Sequence, residues 1–184
     1  GLYVSEITGT WADVLIADNE SGGSNGGMKL SLSSINGTNI ELRGNRSLDD
    51  AGAGSIHGGS SSFSTLRVIG NEAASQAGGL QISSQTTVHI SDGLFQGNSS
   101  LGGSSSGGGA IKIYPSTLGT DTHQIDISDS QFIGNTAYNG AGIFQEGGDL
   151  TLSDSAFVGN ESTSSNTGGG AGLYLTGSTT SLMR

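Results

Sequence analysis

The chain of 184 residues is long enough for one domain, yet only 32% of it is hydrophobic and 5% aromatic, too little for a broad globular core; glycine occurs 34 times and proline once. Sixteen acidic against six basic residues leave a formal net charge of -10, so nucleic acid and anionic membrane surfaces are excluded as natural partners. There is no cysteine for a disulfide or a thiolate metal site, and no apolar run reaches the roughly 18 to 20 residues that a membrane-spanning helix needs, so these residues are not expected to insert directly into a membrane.

Short apolar strands recur in chain order behind steps of small residues. Gly1-Leu2-Tyr3-Val4 comes first, followed by GGMKL at 26–30, AGSIH at 53–57, GGLQI at 78–82, GGAIKI at 108–113, GAGIF at 140–144 and GAGLYL at 170–175. Between them lie alternating pairs such as Val88 and Ile90, Ile125 and Ile127, and Leu150 and Leu152, the period of a half-buried strand. No helical apolar stripe of useful length occurs.

A second series fixes the period. Asn19, Asn45, Asn71, Asn98, Asn135 and Asn160 recur at a nearly constant spacing, broken once by the longer step from Asn98 to Asn135. A repeat of this length with two or three short strands in each unit fits one coil of a solenoid, whereas a propeller blade needs about 40 to 45 residues. Three residues before each Asn the chain holds Ile16, Leu42, Val68, Phe95, Phe132 and Phe157; six before, Asp13, Asn39, Thr65, Asp92, Asp129 and Asp154. The reading is an all-β parallel β-helix, a solenoid with coils of about 25–27 residues. It forms a single segment over 1–184 with insertion loops near 99–110 and 114–124.

The columns carry physical expectations. Phe95, Phe132 and Phe157 point inward and stack on successive coils, and the following glycine turns a corner. Asn45, Asn71, Asn98, Asn135 and Asn160 form a ladder of amides from coil to coil. The Asp column caps a turn, with a weak calcium site as the alternative. Asn19, Asn45, Asn98 and Asn160 also begin Asn-x-Ser/Thr sequons, but a ladder amide is not free for glycosylation, so Asn36, off the column, is the candidate acceptor.

The residues FQGN at 95–98, FIGN at 132–135, FVGN at 157–160 and GGAI at 108–111 resemble the FxxN and GGA[I/L/V] repeats of the chlamydial polymorphic outer membrane proteins and of the wider group of parallel β-helix surface proteins that share them. The resemblance is sharp over 95–172 and degenerate before that. It implies a right-handed β-helix, extracellular or at the cell surface, used as an adhesin, a stalk or a filament component, and it brings no catalytic residues to carry over.

An enzyme on this scaffold would need an identifiable site. Asp49 and Asp50 are the only adjacent acidic pair and sit in a turn signal, and His57, His89 and His123 fall at unrelated positions of different repeats. The expectation is therefore a non-enzymatic structural or adhesive protein without cofactor or bound metal, with a carbohydrate-active enzyme or glycan-binding module as the alternative. Ice binding is set aside, because Thr86, Thr87, Thr151 and Thr179 form no repeated column. The second insertion, with Tyr114, Pro115, Asp121 and His123, is the candidate contact loop for a cell-surface glycan or protein. Because Gly1 to Val4 repeats the pattern of Gly172 to Leu175, the further expected partners are more β-helix coils or a second copy stacked end to end.

Overall fold

The computed structural model describes residues 1–103, 107–115, 123–165, 169–177 and 179–183. They form an all-β parallel solenoid with no helix, whose coils stack in register into four strand ladders. The first ladder has seven rungs, from Leu2–Ser5 and Met28–Ser31 through 54–57 and 80–83 to Ile111–Tyr114, Ile143–Glu146 and Leu173–Thr176. The second also has seven, at 8–12, 34–38, 60–64, 87–91, Gln124–Ser128, Asp149–Ser153 and Thr179–Met183. A third, of six rungs, carries the Phe-x-Gly-Asn segments, and a fourth consists of two-residue strands such as Arg46–Ser47 and Glu72–Ala73.

The corners follow from backbone angles that repeat as faithfully as the strands. The residue before each ladder Asn has positive φ, from Asp18 at 56° and Gly44 at 61° to Gly159 at 61°. The column of Asp13, Asn39, Thr65, Asp92, Asp129 and Asp154 is left-handed too, at 47° to 55°. Asp and Asn tolerate this region better than other side chains, so the column supplies a corner conformation. Its side chains bridge neighbouring coils, Asn39 Nδ2 donating to Asp13 Oδ1 at 2.7 Å and Thr65 Oγ1 to Asp92 Oδ2 at 3.3 Å. Thr65 is the β-branched exception. Thr65→Asn should therefore stabilise the fold by roughly 0.5–1 kcal/mol, read as a higher urea midpoint, because the left-handed penalty falls while a side-chain hydrogen bond can persist.

The core is a narrow column of like side chains. Leu30, Ile56, Ile82 and Ile113 succeed one another inside the first ladder, and Val88, Ile125 and Leu150 inside the second, all at most 1% exposed. The rings of Phe95 and Phe132 stack at 4.8 Å between centroids and those of Phe132 and Phe157 at 4.6 Å, within 4° of parallel.

Beside them runs a chain of amides. Each Nδ2 from Asn19 to Asn135 donates to the Oδ1 of the Asn one coil on, at 2.8–3.1 Å, and the backbone N–H of the same residue donates to the same oxygen. The second Nδ2 hydrogen of Asn45, Asn71, Asn98 and Asn135 goes to the carbonyl of Ile16, Leu42, Val68 and Phe95 respectively. Asn160 closes the series, its Nδ2 donating to the Phe132 carbonyl at 2.8 Å. The buried amides thus use both of their hydrogens.

The insertions leave the ladders in register. Leu80 pairs with Ile111 and Ile111 with Ile143, each across a longer stretch of chain than the step from Met28 to Gly54. The step from Ile143 to Leu173 is long as well. This third insertion lies after Asn160, where no later column Asn exists to reveal it by counting.

Candidate functional site

The second ladder presents the most continuous polar surface. Alternation turns Val88, Ile90, Ile125 and Ile127 inward and leaves their neighbours facing solvent. The register aligns the outward residues into columns, of which the middle one reads Thr10, Asn36, Ser62, His89, Asp126, Thr151 and Ser181. The flanking columns hold mainly Ser and Thr, with Ser64 Oγ donating to Thr38 Oγ1 at 3.2 Å. Between these side chains the face forms a depression of about 350 Å³ over Asn36, Ser62, His89, Asp126 and Thr151. It continues over Thr8, Thr10, Ser34 and Ser60.

This face carries the carboxylates of Asp126 and Asp149 and, among the described residues, no lysine or arginine. His89 Nδ1 lies 3.0 Å from Asp126 Oδ2, with both side chains more than a third exposed, so the contact orients the imidazole and adds at most about 1 kcal/mol of stability. Three of the six cations lie elsewhere, Arg43 and Arg67 against Glu41 and Arg46 between Glu20 and Glu72.

Successive rungs place Ser62, His89 and Asp126 side by side, the residue types of an acyl-transfer triad. The geometry differs from that of a triad. Ser62 Oγ donates away from His89, to Asn36 Oδ1 at 3.2 Å, and the backbone N–H groups of these strands run along the ladder to neighbouring rungs. An oxyanion seated above the face would meet no preorganised pair of donors from this backbone. Asp49 and Asp50 belong to a turn, where Asp49 Oδ2 accepts from Ser24 Oγ at 2.8 Å and the Asp50 carbonyl from Ser47 Oγ at 2.8 Å. Among the described residues no group of three His, Cys, Asp or Glu side chains could hold a metal ion, and this includes the Asp column.

The residues of the second insertion separate. Tyr114 and Pro115 border a shallow surface with Glu146, Gly147, Thr176 and Gly177. Asp121 lies outside the described residues. His123 is fully buried, which corrects its reading as a contact residue: it continues the inward alternation of Ile125 and Ile127, and its carbonyl accepts from the Asp149 N–H at 2.9 Å. That two-residue parity is the sequence signal that would have placed it.

Asn36 is exposed, but it stands in a regular strand at the centre of the polar face and not in a loop. A glycan attached there would cover the depression. Asn45 and Asn98 are at most 1% exposed, and Asn19 and Asn160 hold ladder hydrogen bonds, so these sequons have their amides engaged in the fold.

No protein-family model matches the chain, and comparison with curated proteins and with solved structures likewise finds no match.

Proposed function

We propose that this chain is a non-enzymatic, extracellular or cell-surface β-solenoid, a stalk or adhesin, whose second ladder lays its polar face against a neutral glycan. The observation that carries this reading is the middle column from Thr10 to Ser181, seven hydrogen-bonding side chains in register, five of which line a shallow depression. Rungs repeat about every 4.8 Å, close to the length of a pyranose ring, so an extended chain crossing the strands meets new donors and acceptors at each sugar. The net charge of -10 disfavours polyanionic glycans and leaves neutral ones as the class that fits. Each contact is weak, and affinity accumulates along the polymer. The likeness of the FxGN and GGAI segments to repeats of the chlamydial polymorphic outer membrane proteins supports the surface location and further β-helix coils as neighbours.

Electrophoresis through gels containing neutral polysaccharides tests this, with reducing ends assayed in parallel. At least one glycan should retard the protein without release of reducing ends. Asn36→Ala combined with His89→Ala should weaken that retardation about tenfold or more, since each lost hydrogen bond contributes about 0.5–1.5 kcal/mol. Absence of retardation by every neutral glycan would overturn the reading, as would turnover that disappears with His89→Ala.

A further inference from the structure

Lys112 occupies an outward position on the first ladder, yet it is only 4% exposed. A lysine is almost never buried to this degree unless its charge is compensated. Its Nζ donates to Gln76 Oε1, lies 3.9 Å from Glu146 Oε2, and is flanked by the rings of Phe144 at 5.0 Å and Tyr114 at 5.6 Å. Asp50 is close enough to act on it electrostatically, and the buried Asp50 Oδ1 has no hydrogen-bond partner among the described residues. An amine, a carboxamide and a carboxylate thus meet beside two aromatic rings, with the amine buried and the Glu146 side chain 45% exposed, in a protein without cysteine.

We propose that Lys112 and Gln76 form an intramolecular isopeptide bond, with Glu146 as the proton carrier. Burial pushes the Lys112 ammonium below the usual lysine range, against the opposing pull of Glu146 and Asp50, and so makes the nucleophilic amine accessible. Glu146 takes a proton from Nζ, and the Nζ lone pair attacks Cδ of Gln76. The bond from Cδ to Nε2 then breaks, and Nε2 departs as ammonia with a proton returned by Glu146. The remaining proton from the original ammonium leaves with the ammonia as ammonium ion. One C–N bond forms, one breaks, and no oxidant or cofactor is consumed. Holding the two groups in contact replaces a slow bimolecular aminolysis with an intramolecular one, for which effective concentrations reach about 10⁵ M and above. The product also replaces a buried cation with a neutral amide, and it ties adjacent coils across the interval that contains the first insertion.

The wild-type protein, denatured and digested with trypsin, decides the matter, because an acylated lysine is not a trypsin site. Arg67 and Arg184 are the nearest other basic residues on either side, so the linked chain should yield an intact 68–184 fragment lighter than its sequence by one ammonia. Fragmentation should place the branch between Gln76 and Lys112, which distinguishes it from ammonia lost at an Asn-Gly step. Gln76→Ala should restore cleavage after Lys112, and Glu146→Gln should slow formation of the link at least tenfold. Complete cleavage of the wild type after Lys112, without a branched peptide, would overturn the proposal.

Discussion

Asn98→Ala should lower the stability of the solenoid by about 4 kcal/mol, a loss reserved for broken buried networks. The change removes the oxygen that accepts from both the backbone N–H and Nδ2 of Asn71, at 3.1 and 2.9 Å, and the amide that donates to the Val68 carbonyl and to Asn135 Oδ1. Asn98 is fully buried, so water does not take over these roles without a rearrangement of the corner. Asn19→Ala is the internal control. Asn19 is only half-buried and removes a ladder donor without taking an acceptor from a preceding coil, so it should cost about 1 kcal/mol. Equal urea midpoints for the two variants would show that the amide series does not act as a connected network.

Phe132→Ala should cost about 3–5 kcal/mol, the range for deleting a buried aromatic ring. Its ring is fully buried and sandwiched between Phe95 and Phe157, so the vacated space lies between two rigid planes that the backbone spacing holds apart. Phe132→Leu should be milder, about 1–2 kcal/mol, because the same column already accepts Leu42 and Val68 in earlier coils. Thermal or urea unfolding reads both, and an Ala variant no worse than the Leu variant would mean that the stack collapses around the gap.

The fold was legible because its period is written in residues with few substitutes. Most inward strand positions are apolar, and the left-handed corners hold mainly Gly, Asp or Asn, so Phe132, Gly134 and Asp129 recur where the geometry recurs. The polar face was not legible for the converse reason. Solvent accepts Asn36, Ser62, His89 or Asp126 with equal ease, so no repetition marks them, and only the register across the long step from Asn98 to Asn135 shows that His89 meets Asp126. Lys112 and Gln76 share that difficulty, since an insertion separates them in the chain while the ladder brings their coils together. The Asn column marks the insertions of the long interval, whereas the one after Asn160 falls where the column has no further member.

The regular second ladder and the broken segment at Tyr114 and Pro115 are rival places for a ligand, and they lie on different ladders. Titrating isotope-labelled protein with the neutral glycan that retards it most, and following the backbone amide resonances, separates them residue by residue. Binding on the second ladder should concentrate the shifts in 34–38, 60–64, 87–91, Gln124–Ser128 and Asp149–Ser153, with Tyr114, Glu146 and Thr176 unmoved. Shifts confined to Tyr114, Glu146, Gly147 and Thr176 would place the ligand on the broken segment and overturn the glycan-binding face.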